Sequence, residues 1–261
     1  MTEYRSIAAL GSSYAAGPNI KPIVNRAAMR SGNNYAHVLA RSIGADLTDL
    51  TVSGATTPTI LDTPQRVGLV KFAPQLASLP ADTDLVLVTA AGNDLGYLGS
   101  AIKLAAYFIL DKYTGGQLRR WKPPRLPVTT SRQRDGAVLG LTKIVVESRR
   151  RAPTARVVLV DYLPMVSEST TPGEDVPFDS AAIDALAAVH QQLTGVFDAA
   201  ANNAGAEVLH ASRLGIGHEL GSVEPWVQPM QPLHRFPASF HPNAAGMQAI
   251  AAELRRTITA T

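Results

Sequence analysis

Short apolar runs alternate with stretches of helical periodicity along this chain. Ser6–Leu10, Ala45–Val52, Thr83–Ala90, Ala155–Asp161 and Ala206–Ala211 read as five strands. The third, TDLVLVTA, is almost continuously apolar, as a strand buried on both faces must be. Between the runs, Tyr35, Val38, Leu39 and Ile43 recur at helical spacing. Ile183, Leu186, His190, Leu193 and Phe197 mark a long helix ending near Gly205. Met247, Ile250, Ala251, Leu254 and Ile258 mark a last helix with Asn243 as its N-cap. Strand and helix in regular alternation predict a parallel sheet with helices on both faces. No internal repeat or low-complexity linker divides the chain, so one domain over residues 1–261 is expected. The irregular stretch is Asp111–Asp135, with three prolines before Val128 and no acid between its end residues. It predicts a long loop, and with the apolar segment from Ala101 to Leu110 a lid or insertion over about 101–135.

Composition narrows the chemistry. The 261 residues are 46% hydrophobic and 17% charged, which suits a chain with a sizeable core. A formal net charge of +3 is too small to argue for a nucleic-acid partner. There is no cysteine, which excludes disulfides, thiolate metal ligands and cysteine nucleophiles. The six histidines show no H-E-x-x-H spacing, and neither a phosphate loop nor a dinucleotide fingerprint occurs, so no metal and no cofactor are expected. The N-terminal stretch MTEYRSIAAL has no signal-peptide pattern, which makes a cytoplasmic location the expectation, or a secreted one if a leader was removed. The longest clean apolar run, Leu104–Leu110, is far short of the roughly 20 residues of a membrane span.

In an open parallel sheet, ligands bind beyond the carboxyl ends of the strands. The first strand is followed there by GSSYAAG (Gly11–Gly17), the second by SGATT (Ser53–Thr57) and the third by AGNDLGY (Ala91–Tyr97). SFHPNAAG (Ser239–Gly246) leads into the last helix. Together they hold the parts of acyl transfer. A serine hydroxyl needs a base in reach, and the imidazole of His241 can take its proton and return it to a leaving alcohol. A tetrahedral oxyanion needs fixed donors, which the N–H of Gly54, the amide of Asn93 and the N–H of Ser13 can supply. Composition and spacing do not choose between Ser12 and Ser13.

These four segments, in this order and spanning nearly the whole chain, resemble the four blocks of the SGNH hydrolases, the GDSL-type esterases and lipases. The family's residues map onto Ser13, Gly54, Asn93 and His241, with Ser12 in the place of the usual aspartate. The resemblance implies a flavodoxin-like three-layer α/β/α sandwich with a parallel five-stranded sheet. It further implies ester hydrolysis through a seryl-acyl intermediate, with Ser13 rather than Ser12 as nucleophile. One position departs from it: the aspartate usual three residues before the histidine is Ala238 here. A Ser13–His241 dyad is therefore expected, with the Ala238 carbonyl accepting the imidazole Nδ1–H, or less favourably with Glu224 as the acid. Asp94 is read as structural and His190 as a hydrogen-bonded core residue. The expected substrate is a small-molecule or lipid ester. Lys112, Arg119, Arg120, Lys122 and Arg125, with Tyr113 and Trp121, suit a transient contact with an interface. The same site would serve an acyltransferase, and the fold without its chemistry an inert ligand-binding protein.

Overall fold

The computed structural model describes residues 4–259. The extreme ends of the expected 1–261 domain, and the start of the N-terminal stretch read for a leader, lie outside the described residues. Five parallel strands form the central sheet: β1 (Ser6–Gly11), β2 (Asp46–Asp49), β3 (Leu85–Thr89), β4 (Arg156–Val160) and β5 (Glu207–Leu209). Their order is β2-β1-β3-β4-β5. All five expected strands are present; the first extends one residue to Gly11, which pairs with Thr89, and the other four are trimmed to the residues that find a ladder partner. Every residue of β3 is buried, which requires cover on both faces of the sheet.

The helices are α1 (Ser13–Ala16), α2 (Tyr35–Ile43), α3 (Thr57–Leu61), α4 (Tyr97–Tyr113), α5 (Gln117–Trp121), α6 (Ser131–Arg151), α7 (Ser180–Ala204), α8 (Ala211–Leu214) and α9 (Ala244–Thr259). Helix α2 packs against α9, and α6 against α7 and α3. Their ends are set locally. The Asn34 side chain accepts the His37 N–H at the start of α2, and Asp179 accepts the Ala182 N–H at the start of α7. Gly44 and Gly205 close these two helices in the left-handed conformation. Asn243 caps α9, accepting the Gly246 N–H at 3.0 Å. The buried apolar side chains form one cluster, with Ile7, Leu87 and Val158 in the sheet and Leu39, Leu186 and Leu254 on the helices.

Residues 111–135 are more regular than their composition predicts. Helix α4 continues to Tyr113, α5 follows after a Gly115–Gly116 turn, and α6 starts at Ser131, leaving only 122–130 without regular structure. Asp111 organises the turn, accepting the Arg119 N–H at 2.8 Å and its guanidinium at 3.2 Å. Two short antiparallel hairpins, Ile23–Asn25 with Arg30–Ser31 and Gln65–Val67 with Val70–Phe72, and the long helix α6 are absent from the periodicity reading. The apolar stripe of α6, with Ala137, Leu141, Ile144 and Val145 buried, is blurred by Leu139 and Val146, apolar residues on its exposed side.

Candidate active site

The sheet order reverses direction between β1 and β3, and the carboxyl ends of those strands lie side by side, Gly11 opposite Thr89. Such a switch point leaves a crevice above the sheet. Gly11 sits there with φ +151°, and a Cβ on it would lie 2.3 Å from the Thr89 carbonyl oxygen, so only glycine fits. The amide of Gln75 clamps this residue, accepting its N–H at 2.8 Å and donating to its carbonyl at 2.9 Å. The Ser12 N–H then donates to the Thr89 carbonyl at 3.0 Å, and the chain turns at once into α1. Ser13 is the first residue of that helix.

The two serines have different surroundings. The Ser12 hydroxyl lies 3.0 Å from that of Tyr162, fully buried. Tyr162 also accepts the Gly92 N–H at 3.2 Å. Burial pushes the Tyr162 phenol up, only partly offset by its bond to Ser12, so it stays protonated. The Ser13 hydroxyl has no partner among the described residues, and Ser13 is 6% exposed. As the opening residue of α1, Ser13 has a backbone N–H with no acceptor inside the helix.

His241 enters from the segment before α9. Its Nδ1 lies 2.9 Å from the carbonyl of Ser239. A carbonyl only accepts, so Nδ1 carries the proton and Nε2 holds the free lone pair. Nε2 is buried and has no hydrogen-bond partner among the described residues. Ser239 thus takes the role expected of Ala238, whose carbonyl instead receives the His241 backbone N–H at 3.1 Å. Glu224 is exposed and forms no ion pair with His241. Burial lowers the His241 pKa to about 4, against the upward pull of the Ser239 and Ala238 carbonyls, so the ring is neutral at neutral pH.

The His241 backbone is held under strain. Phe240 has φ +60°, unusual for a bulky residue, and is pinned on both sides. Its N–H donates to Gln228 at 2.9 Å, and its carbonyl accepts from the Tyr14 hydroxyl at 2.8 Å. The Tyr14 ring centre is 5.4 Å from that of His241. The residue after Ser13 therefore supports the histidine, although Ser13 and His241 are not hydrogen-bonded to each other here.

Gly54 and Asn93 meet on the other side. Gly54 adopts φ +80° in an open turn, and its N–H has no acceptor among the described residues. The Asn93 amide donates to the carbonyl of Ala55 at 2.8 Å, beside that turn. Asp94 accepts both the N–H and the hydroxyl of Thr57, joining the same two segments, a structural task as expected. Gly92 carries no Cβ because one would lie 2.7 Å from the Tyr162 ring. The Val52 N–H donates to the Gly11 carbonyl at 3.1 Å, which ties the Gly54 turn to β1.

All four expected residues therefore lie on one edge of the sheet, in two linked pairs. Gln75, Tyr14, Tyr162 and the Ser239 carbonyl went unread in the sequence. Tyr162 lies two residues beyond β4, so the rule that placed the other segments would have pointed to it. Among the described residues, no three His, Asp or Glu side chains are grouped to hold a metal ion.

Residues 9–249 match the sequence profile of the GDSL-like lipase/acylhydrolase family. The chain belongs to that family. This GDSL-type carboxylic ester hydrolase is 30% identical over 250 residues to Lipase 2 of Streptomyces coelicolor, a match covering 93% of this chain and 82% of that one. The same fold occurs in an extracellular lipase from Streptomyces rimosus, with a TM-score of 0.73 at 22% identity over 97% of this chain and 99% of the other. It occurs again in a phospholipase A1 from Streptomyces albidoflavus, with a TM-score of 0.74 at 20% identity and the same coverage. No helix among the described residues of the GDSL hydrolase is long and apolar enough to cross a membrane.

Proposed function

We propose that this hydrolase cleaves lipid esters with Ser13 as nucleophile and His241 as the sole side-chain partner. The observation carrying the reading is the state of the imidazole: Nδ1 is occupied by a main-chain carbonyl, and Nε2 is an unpartnered buried acceptor beside the helix that begins at Ser13. Ser13 Oγ attacks the ester carbonyl carbon as its proton passes to His241 Nε2. The Ser13 and Gly54 N–H groups and the Asn93 amide stabilise the oxyanion. His241 then protonates the leaving alkoxide. Water, deprotonated by the same nitrogen, attacks the acyl-serine and releases the acid. The Ser239 carbonyl holds the ring and its tautomer, part of the work of the acid in a triad. A lipid ester fits the named relatives, one a lipase and one a phospholipase A1.

A fluorophosphonate probe with peptide mapping tests the assignment. The expected result is an adduct on Ser13 that is absent from His241→Ala, together with hydrolysis of p-nitrophenyl esters. An adduct on Ser12, or full hydrolysis by Ser13→Ala, would overturn it.

A further inference from the structure

Charge is distributed unevenly in this chain. Residues 101–130 hold six Lys and Arg against a single Asp, a formal +5, while the whole chain is +3. The lone acid, Asp111, is buried and bonded to Arg119. Lys112, Arg120, Lys122 and Arg125 are exposed and have no acidic partner among the described residues. Interleaved with these cations are large apolar side chains left in water. Trp121 is 87% exposed and Tyr113 85%, with Leu110, Leu126 and Val128 exposed beside them. A groove of ≈ 700 Å³ runs between α4 and the 122–125 strand of chain, walled by Tyr107, Leu110, Leu118, Pro123 and Pro124 and rimmed by Lys122. An apolar surface of this kind, with aromatic rings at its edge and unpaired cations around it, is matched by the boundary of a lipid layer carrying negative headgroups.

Its position links it to the site. Helix α4 starts at the carboxyl edge of the sheet, just after Asn93. Its first residue, Tyr97, packs near His190 in the middle of α7, whereas Arg119 beyond its far end reaches Asp179 at the N-cap of α7, at 3.5 Å. The helix therefore climbs along α7 towards the end of the molecule that carries the site. There Phe178, the neighbour of Asp179, packs at 5.5 Å on Phe240, the neighbour of His241. A continuous line of contacts runs from the histidine to the basic apolar surface.

We propose that the surface formed by α4, α5 and residues 122–128 docks this hydrolase on anionic lipid layers, with its catalytic edge towards the lipid. The docking deepens the esterase reading and rests on it for its purpose, but the binding itself needs no turnover.

The test is sedimentation of the full chain with vesicles of phosphatidylcholine alone or with phosphatidylglycerol added. Binding is expected only with the anionic lipid and should weaken as salt is raised. Neutralising each cation near the surface should lower partitioning about five-fold. The triple change Arg120→Glu, Lys122→Glu, Arg125→Glu should abolish binding, and Trp121→Ala should weaken it, while all four side chains are exposed and turnover of a soluble short-chain ester stays at the parent rate. Ser13→Ala should bind vesicles like the parent, so failure of the assigned nucleophile would leave the docking standing. Equal binding to both lipids, no binding to either, vesicle binding unchanged by the triple reversal, or self-association through Trp121 in place of vesicle binding would each overturn it.

Discussion

The imidazole of His241 donates its Nδ1 proton to the carbonyl of Ser239, two residues earlier, at 2.9 Å. A group that cannot ionise thus stands where a triad places a carboxylate. Burial lowers the His241 pKa to about 4, and the carbonyl, which orients the ring but carries no full negative charge, offsets only part of that fall.

That shift has a stability consequence with a definite sign. The unfolded chain binds a proton at this histidine near pH 6.5, and the folded chain only near pH 4. Between those values the unfolded state holds more protons, so stability is full above pH 6.5 and is lost as pH falls towards 4, by about 3 kcal/mol. Urea unfolding at a series of pH values should show this loss in the parent and not in His241→Gln. Parallel curves for the two proteins would contradict it. The acid limb of kcat/KM should likewise fall near pH 4 rather than 6.5, since a neutral ring is what the reaction needs.

Ser12 and Ser13 should separate cleanly on mutation. Ser13→Ala should lower kcat by at least about 10³-fold with little change in stability. Ser12→Ala removes one buried hydrogen bond to Tyr162, costs about 1 kcal/mol in thermal or urea unfolding, and keeps kcat within a few-fold. Equal losses of kcat would show that Ser12 takes part in the chemistry.

Asn93→Ala should lower kcat by about 10²–10³-fold with KM little changed, as loss of a donor that acts on the oxyanion requires. It also strands the Ala55 carbonyl, for about 1 kcal/mol of stability. A rise in KM with kcat intact would remove Asn93 from the oxyanion site.

Restoring the usual acid should not help. Ala238 is fully buried, and the ring proton is already taken by Ser239. Ala238→Asp should lower stability by more than about 1 kcal/mol through the cost of burying a carboxylate, with no gain in kcat. Faster turnover in this variant would mean that the carbonyl is an incomplete replacement.

Tyr14→Phe tests the support of the histidine. It removes the donor to the strained Phe240 carbonyl while keeping the ring against His241. About 1 kcal/mol of stability and a several-fold drop in kcat are expected, with KM unchanged. An unchanged kcat would make Tyr14 only a packing residue.

Much of this protein is local and therefore legible in the chain. The buried strand Leu85–Thr89 announces itself by composition, and Asn34, Gly44, Asp179 and Gly205 mark helix ends because capping acts over three or four residues. Four segments placed after strands or before a helix were enough to indicate the edge of the sheet that holds the candidate site, since a parallel sheet sends the segments after its strands to one side. Apolar residues on the exposed side, Leu139 and Val146, hid the buried face of α6, and proline and glycine content made Asp111–Asp135 look looser than it is, because one buried carboxylate, Asp111, folds that turn. What remained belongs to the tertiary structure. Ser12 is distinguished from Ser13 by Tyr162, 150 residues away. Ser239 meets the ring while the Ala238 carbonyl accepts the His241 backbone N–H, a division that the spacing of the residues does not reveal. The basic apolar surface is joined to the histidine through Arg119, Asp179, Phe178 and Phe240, contacts between distant segments. Periodicity reports which face of an element is buried, and only packing reports which group it meets there.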